Sequence, residues 1–514
     1  MFWFAIIFIT KTPDGGNRMR KFKRIAALVI AAAMLVTAAP MAFATADVDY
    51  EITSPYENLD FASLNQYKAD LHSHTTFSDG HDTLPAQTER HYELGFDIYA
   101  ITDHGTVSYG YTTQEFNDPL KLISWIKNGD VYTDVLAAKG KTSDGVDYRV
   151  DTDPATKDEY YIETVNGVDG QAMMRVPFGN EQNPTSFNNA HVNTWFADYG
   201  HGVLGGTSNY ESPIAAVDEM GGLSVINHPG EYTNARDEET QDSAYDVDDP
   251  VYNYKINKFI NLLLEYDTCL GIDINSKGDG RTRYDRKLWD ILLQRIVPHG
   301  RNVYSIATTD AHNLDIADSG YTTILMKDLT SADLKDAMAK GQMFACSKYI
   351  GNTVEMEAYK AIASEINTPE AAQLVQMLDT ALSTGEKFYA GEDAIVPVVT
   401  DVIIDENNDT ITLETENVTV IRWIADGKEI ASGATIDLDD YSDKIGSYVR
   451  AEIVGVGGVM YTQAFTLDYD GAPEAENLKG FIDFGGIVSA ICDTIVKLLP
   501  YILPLKLIYF IAGV

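Results

Sequence analysis

Apolar runs alternate with helical stretches along residues 66–346 of the chain. The runs with polar residues directly after them are 67–71, 97–102, 222–227, 270–274 and 303–308. Short apolar runs separated by helical stretches predict β-strands joined by crossover helices, and therefore an α/β domain. In parallel α/β barrels, functional groups gather at the carboxyl ends of the strands. The pattern therefore predicts a functional site formed by the residues that follow these runs.

Three further stretches of this part of the chain differ from the alternating pattern or end it. Residues 105–180 are rich in Tyr, Asp and Thr and are longer than an ordinary connection, which predicts an inserted lid or small subdomain. Residues 331–340 predict a closing helix with Thr330 or Ser331 as its cap. Residues 347–392 have helical periodicity over 354–387 without polar groups suited to chemistry, and we interpret them as a packing appendage or linker.

Residues 393–470 change to short alternating strands separated by Asn-Asp, Asp-Gly and Gly-Gly turns. Trp423 and the Asp-x-x-Gly-x-Tyr corner that ends at Tyr448 make this segment resemble an immunoglobulin-like sandwich without its cysteines. The resemblance implies a spacer, or a module that binds carbohydrate or a cell surface. A spacer is the favoured interpretation.

Both ends of the chain are apolar. Met19 begins a basic stretch, followed by an apolar run and Ala42-Phe43-Ala44, which predicts a signal peptide cleaved after Ala44, with residues 1–18 as an upstream extension. The mature protein is then exported, extracellular or at the cell surface; an uncleaved anchor is the alternative. The apolar tail, 481–514, predicts membrane or cell-wall association, or else a helix folded back on the body.

The composition excludes some functions. Acidic residues outnumber basic ones by 77 to 38, giving a formal net charge of −39. Such a chain repels nucleic-acid phosphates, so no general nucleic-acid binding is expected. The three cysteines include no Cys-x-x-Cys pair; one bridge, Cys269 to Cys346, is permitted but not required.

The candidate chemistry begins at Asp70-Leu-His-Ser-His, directly after the first apolar run. His72 and His74 alternate with Ser73, so on an extended strand both imidazoles face the same way, and Asp79 follows within one loop. Imidazoles with a nearby carboxylate suit Zn, Mn or Fe. Further metal-capable residues follow later apolar runs: His104, His228, Asp310 and His312.

Together, these motifs resemble the PHP (polymerase and histidinol phosphatase) metallohydrolases over about 68–346. The matching motifs are His72-x-His74, Asp79-Gly80, Thr102-Asp-His104, His228-Pro229 and Asp310-x-His312. The resemblance implies a distorted (βα)7 barrel with two or three divalent metal ions at its carboxyl-end face. One metal would take His72, His74 and Asp310; a second His228 and His191; a third Asp79, His104 and His312. Glu181 would bridge the first two, with Glu163 as the alternative acid and His201 as the alternative to His191.

Metals held closely around a shared carboxylate would lower the pKa of a bridging water and give a hydroxide as the nucleophile near neutral pH. Glu181, His228 and His312 are the candidate catalytic groups, and a metal-bound water is the preferred acid. Asp103, and by the same reasoning Asp70, is expected to support the ligands through hydrogen bonds instead of binding metal. His81, His91 and His299 are expected to lie outside the site.

A basic segment, 277–286, follows the run 270–274 in this otherwise acidic chain. Arg281 and Arg283 are candidates to hold a phosphate at the mouth of the barrel, and a basic surface loop is the alternative. The favoured function is a phosphoesterase acting on a small phosphorylated substrate. The alternatives are hydrolysis of a carboxyl or carbamate ester at the same site, and a non-catalytic, metal-stabilised surface protein.

Overall fold

A computed structural model describes residues 48–115, 134–182, 190–201, 210–237 and 240–478, together with 487, 488, 491, 494 and 495. The predicted extension and signal peptide, 1–44, and most of the apolar tail, 481–514, lie outside the described residues. Within the described part, no helix combines the length and apolar character that a bilayer span requires.

Strands make up much of the described chain. Up to residue 389 they are β1 (Glu51–Thr53), β2 (Asn65–Asp70), β3 (Ile98–Tyr99), β4 (Lys139–Lys141), β5 (Asp147–Thr152), β6 (Glu159–Val165), β7 (Val168–Asp169), β8 (Met173–Arg175), β9 (Asn180–Gln182), β10 (Val192–Trp195), β11 (Leu223–Ile226), β12 (Cys269–Asn275), β13 (Tyr304–Ala307), β14 (Gly320–Met326), β15 (Met343–Ser347), β16 (Tyr349–Ile350) and β17 (Phe388–Tyr389). The later strands are β18 (Val398–Asp405), β19 (Thr410–Glu416), β20 (Val420–Ala425), β21 (Lys428–Ser432), β22 (Thr435–Asp437), β23 (Tyr448–Gly455), β24 (Gly458–Tyr461) and β25 (Phe465–Asp468).

Helices connect many of these strands. The α-helices are α1 (Leu84–Glu93), α2 (Glu211–Glu219), α3 (Pro229–Thr233), α4 (Pro250–Glu265), α5 (Asp285–Ile296), α6 (Ser331–Ala339), α7 (Thr353–Ser364) and α8 (Pro369–Thr384). Short 3-10 segments lie at Phe61–Ser63, Ala235–Asp237, Val297–His299, Leu314–Ile316 and Asp439–Tyr441, and Lys277–Asp279 forms a tight turn with positive φ values.

Two sheets carry the strands that the sequence predicted for the site. The larger has the order β1-β25-β23-β24-β15-β14-β2-β3-β8-β6-β5-β4, with β20 and β21 attached through β23, and β7 through β6. The second has the order β13-β12-β11-β10-β9. The pairs β2–β3 and β3–β8 are parallel, as are β11–β12 and β12–β13. The α/β class is therefore confirmed.

The predicted barrel does not close within the described residues. The two sheets meet at two isolated bridges, Ser73 with Ala311 and His104 with Glu181. One departure from the predicted parallel barrel is that β10 pairs antiparallel with both β9 and β11. In addition, β15 pairs with β24 from the carboxyl-terminal region, so the larger sheet continues outwards instead of closing on the second.

The predicted insertion forms an antiparallel extension of the larger sheet. β4, β5 and β6 pair in sequence, and β6 pairs with β8. Residues 116–133, in the middle of the predicted insertion, lie outside the described residues. The insertion thus lengthens the sheet beside β3, the strand that leads to His104.

Helix ends follow their capping residues. Thr330, one of the two predicted caps, accepts a hydrogen bond from the Asp333 amide and begins α6. The predicted helical stretch 354–387 is two helices, because Thr368 caps a new helix whose first residue is Pro369. Buried residues of α7 and α8 share a core with α4, α5 and β12; they include Met356, Tyr359, Leu374 and Leu378.

The strands predicted for 393–470 are present, but the immunoglobulin-like sandwich is not confirmed. β18, β19 and β22 form a separate sheet, whereas β23 and β24 continue the larger sheet through the pairing of Tyr461 with Ala345. Trp423 is buried in a core that also contains Tyr99 and Phe344. Residues from before and after 393 therefore form shared sheets and cores. The permitted bridge does not form, since Cys269 and Cys346 are buried free thiols.

Candidate metal centre

The side chains of the candidate centre extend from strand ends in both sheets. β2 ends at Asp70, and His72 and His74 follow with Ser73 between them. Ser73 bridges to Ala311, and the His74 amide donates a hydrogen bond to the Ala311 carbonyl at 2.9 Å. Because Ser73 is held in this extended pairing, the two imidazoles on either side of it project to the same face.

His72, His74 and Asp310 form the first group, and all three are buried. Their possible ligand atoms lie within 4.8 Å of one another. Oδ1 of Asp310 is 3.4 Å from Nε2 of His72 and 3.2 Å from Nε2 of His74. The structure thus brings together the residues that the resemblance implied for one metal.

Five imidazoles surround the carboxylate of Glu181, which lies on β9 with 1% of its side chain exposed. The closest oxygen–nitrogen distances are 2.8 Å to His191, 3.0 Å to His104, 3.2 Å to His74, 3.3 Å to His228 and 3.4 Å to His72. The two carboxylate oxygens divide these contacts, and each faces at least two imidazoles. Glu181 is therefore placed to bridge two cations.

The alternative residues lie elsewhere. Glu163 accepts a hydrogen bond from the Tyr161 hydroxyl at 3.1 Å. Nε2 of His201 is 3.7 Å from Glu115. Of each predicted pair of alternatives, the structure brings Glu181 and His191 to the cluster.

The third group contains Asp79, His104 and His312, with His74 beside them. Oδ1 of Asp79 is 3.3 Å from Nε2 of His312, 3.5 Å from Nε2 of His104 and 3.7 Å from Nδ1 of His74. The Asp79 side chain is 49% exposed, in contrast to the buried first group. The predicted third set is therefore assembled at the more open side of the cluster.

Hydrogen bonds fix which nitrogen of two imidazoles faces the cluster. The Thr102 hydroxyl donates to the Ser73 carbonyl, so it accepts from Nδ1 of His72, at 2.7 Å. Nδ1 of His312 lies 3.0 Å from the Asp310 carbonyl and donates to it. In both rings it is then Nε2 that faces the carboxylates of the cluster, the nitrogen that would ligate a metal.

Two buried acids support these loops, as predicted. Asp103 accepts hydrogen bonds from the amide and hydroxyl of Thr75, both at 2.7 Å, and from the Ser78 hydroxyl at 2.6 Å. It thereby holds the loop that leads to Asp79. Asp70 accepts from the Thr309 hydroxyl at 2.6 Å, which ties the end of β2 to the residue before Asp310.

The donor set fits divalent cations. Within the described residues, Nε2 of His74, Nδ1 of His104, both ring nitrogens of His228 and Oδ1 of Asp310 are buried without a hydrogen-bond partner. Buried polar atoms are ordinarily hydrogen-bonded, and leaving them without a partner is costly. Imidazole nitrogens and carboxylate oxygens directed at one another are the ligands that Zn, Mn and Fe accept.

The electrostatics of the cluster's own side chains favour bound positive charge. Burial works against it, yet the surrounding histidines hold the pKa of Glu181 well below its usual range. Burial lowers the pKa of His104 to about 3, so this ring stays neutral. Although burial lowers it, hydrogen bonding to Asp310 and Asp79 raises the pKa of His312 to about 11. The protonated ring of His312 thus places a positive charge beside Asp79 and Asp310. A bound cation would compensate the charge of the same carboxylates.

Two residues of the cluster adopt left-handed backbone conformations. His228, after β11, has φ 23° and ψ 59°, and Asp310, after β13, has φ 46°. Such conformations cost roughly 1–3 kcal/mol for residues with a Cβ and concentrate at functional sites. In both cases the residue lies two or three positions after a strand that pairs in parallel with β12.

The sequence did not single out three residues next to the cluster. Nζ of Lys277 is 2.6 Å from Oδ2 of Asp310 and 3.2 Å from Oε2 of Glu231. The side-chain amide of Asn227 donates to Oε1 of Glu181 at 2.8 Å. Lys277 lies two residues after β12, as His228 lies two residues after β11. Considering every residue type that follows a predicted strand, and not only histidines and acids, would therefore have found Lys277.

Arg281 and Arg283, the predicted phosphate-binding pair, lie farther out. Arg281 forms an ion pair with Glu231 and is 45% exposed. Arg283 donates to the Arg236 carbonyl and lies over the Tyr284 ring. Their role as phosphate ligands stays a prediction, and Lys277 is the basic side chain of this segment that reaches Asp310.

Residues 70–236 match the model of the PHP domain. The matched range contains His72, His74, Asp79, His104, Glu181, His191 and His228. Asp310 and His312 lie beyond it, and the fold brings them to the same cluster. The match confirms the resemblance over this part of the chain.

Two solved structures are similar to the chain at low identity. One is a two-domain protein containing a predicted PHP-like metal-dependent phosphoesterase from Bacteroides vulgatus, at 14% identity and a TM-score of 0.34, covering 81% of this chain and 90% of that one. The other is the lesion-specific endonuclease PfuEndoQ from Pyrococcus furiosus, at 14% identity and a TM-score of 0.28, covering 54% of this chain and 56% of that one. No curated protein matches the chain.

Proposed function

We propose that this protein is a metal-dependent hydrolase of the PHP type that cleaves small phosphate esters. The observation that carries the proposal is the placement of Glu181, whose carboxylate faces five imidazoles between two further carboxylates, Asp79 and Asp310. The match of residues 70–236 to the PHP domain supports it.

Two or three divalent ions of Zn, Mn or Fe would be held by the nine residues of the cluster. When bound, such ions activate water for attack on a phosphoryl group and neutralise charge on its oxygens. Glu181 would be shared between ions, with His72, His74 and Asp310 on one side and His191 and His228 on the other. Asp79, His104 and His312 would hold a further ion at the open side.

The residues of the chain would orient this chemistry through fixed hydrogen bonds. Thr102 holds the ring of His72, and the Asp310 carbonyl holds that of His312, so neither can turn away from the cluster. His228 lacks a hydrogen-bond partner for either ring nitrogen within the described residues. His228 or His312 could carry a proton to the leaving group, but a ligating imidazole has little freedom for this. A solvent molecule held in the site is the preferred proton donor.

Local charge favours phosphate esters over carboxyl or carbamate esters. Lys277, Arg281 and Arg236 converge on the single carboxylate of Glu231, next to Asp310. This is a concentration of positive charge in a chain with a formal net charge of −39. A phosphoryl group gains more from such charge than a neutral ester does.

The proposal is tested with metal-reconstituted full-length protein on panels of phosphomonoesters, phosphodiesters and carboxyl esters. We expect turnover of at least one phosphate ester, its loss on chelation and its return with added divalent metal. His72→Ala should lose this turnover, whereas His299→Ala, an exposed histidine, should keep it.

Turnover of carboxyl esters alone would establish the alternative ester hydrolase. Absence of turnover on every panel, with metal demonstrably bound, would overturn both enzymatic functions and favour the non-catalytic surface protein.

A further inference from the structure

The loop after β12 has an unusual backbone. Lys277, Gly278 and Asp279 have φ values of 50°, 59° and 54°, so three successive residues are left-handed. Only the middle one is glycine, and the two others bear a Cβ that disfavours this conformation. A sequence retains such strain only where the surrounding structure enforces it, which is common at functional sites.

The surroundings of Asp279 enforce the conformation. Arg286 donates to both carboxylate oxygens of Asp279 at 2.9 Å, and the Gly351 amide donates to Oδ2 at 2.6 Å. Lys387 donates to the Gly278 carbonyl at 2.6 Å. Contacts from α5, from the residue after β16 and from the residue before β17 therefore fix the position from which Lys277 extends.

The fixed loop directs the Lys277 ammonium to the edge of the histidine and carboxylate cluster. Its nitrogen is 2.6 Å from Oδ2 of Asp310 and 3.2 Å from Oε2 of Glu231. Its side chain remains 19% exposed, whereas those of Asp310 and Glu231 are 1% and 9% exposed. An ammonium has three N–H donors, so contacts with these two acids leave it able to meet a third acceptor.

Two arginines near Glu231 also compensate its charge, so the charge of Lys277 is available to bind a substrate anion. Arg281 pairs with Glu231, and Nη1 of Arg236 is 3.7 Å from the same carboxylate. Glu231 thus has cationic partners besides Lys277. Asp310 would share its charge with an ion that it held together with His72 and His74, which its Oδ1 faces.

We propose that Lys277 is a further catalytic residue, which binds a phosphoryl oxygen of the substrate and makes the site favour phosphomonoesters over phosphodiesters. This inference rests on the proposed function. A phosphate monoester carries nearly two negative charges near neutral pH, and a diester about one. Because Coulomb attraction scales with the product of the charges, a fixed ammonium stabilises the monoester more.

Lys277→Met and Lys277→Arg are compared with Lys340→Met in the metal-loaded full-length protein. Lys340 is a matched control because it is 57% exposed and pairs with Asp336 on α6. The measurements are metal content, thermal unfolding, the Kd for inorganic phosphate by calorimetry, and kcat/KM for an aryl phosphate and its methyl diester.

For Lys277→Met, we expect unchanged metal content, a Kd for phosphate raised about tenfold or more, and kcat/KM lowered ~100-fold for the monoester but about tenfold or less for the diester. Lys277→Arg should retain part of the phosphate affinity because it keeps the charge. Lys340→Met should match the wild type.

Two results would overturn the role of Lys277. Equal loss for monoester and diester together with lowered metal content would mean that Lys277 only holds Asp310 in place. Wild-type values of kcat/KM and of the Kd for phosphate in Lys277→Met would remove it from the site. A wild-type protein without phosphate-ester turnover would instead overturn the proposed function, and the Kd for phosphate would still decide whether Lys277 binds the anion.

Discussion

Replacing Glu181 by glutamine is expected to lower kcat/KM for a phosphate ester by ~10³-fold or more, which corresponds to about 4 kcal/mol of transition-state stabilisation. Glutamine keeps the shape of the side chain but removes the charge that five imidazoles surround. Only one amide oxygen would then remain as a metal ligand, so Glu181 could no longer hold two ions through separate carboxylate oxygens. The same variant should bind less metal, measured by elemental analysis after desalting.

Glu163→Gln is the matched control, because Glu163 is the alternative acid that the sequence offered. It lies on β6 and contacts the Tyr161 hydroxyl, away from the cluster. We expect its metal content and kcat/KM to stay within about threefold of the wild type. Full activity of Glu181→Gln, or equal losses in the two variants, would contradict the role of Glu181 as the bridging ligand.

Replacing Arg450 by methionine is expected to lower the free energy of unfolding by about 3–5 kcal/mol. Arg450 lies on β23, with 2% of its side chain exposed. It donates to both oxygens of Asp290 on α5, each at 2.7 Å, and to Glu452 at 2.8 Å. Without Arg450, the buried acids Asp290 and Glu452 lose the guanidinium that they share, and β23 loses its ion pair with α5.

Arg149→Met is the matched control for this measurement. Arg149 is also paired with acids, Asp151 and Asp169, but these pairs lie on the exposed hairpin of β5 to β7. Exposed pairs contribute little, so we expect a change of about 1 kcal/mol or less. The free energy of unfolding of both variants is measured by guanidinium-induced unfolding and compared with that of the wild type. Equal stability losses would show that the carboxyl-terminal strands do not depend on the Arg450 contacts.

The sequence predicted much of the candidate centre, because a residue that directly follows an apolar run can be recognised from its neighbours in the sequence alone. His72, His104, His228 and Asp310 each follow an apolar run, and parallel strands bring their carboxyl ends to one edge. Glu181 and His191 followed from the family resemblance alone, since β9 is only three residues long and gives no clear periodic signal.

Other features depend on contacts that periodicity does not encode. Alternating residues predicted the strands after 393, but not that β24 would pair with β15 and extend the larger sheet. Likewise, the composition of 277–286 indicated a basic loop, but not that left-handed residues would turn Lys277 towards Asp310. Pairing partners and strained backbones are decided by tertiary contacts, which in these cases join residues far apart in the sequence.

We expect the histidine and carboxylate cluster to bind more than one metal ion, and elemental analysis measures this number. Full-length protein is loaded with Zn, Mn or Fe in turn, freed of loosely bound ions and analysed against protein concentration. At least two ions per chain are expected for one of these metals, since the ligands form several groups around the shared Glu181. Fewer than two ions per chain in fully loaded protein, for every metal, would contradict a site that holds several ions.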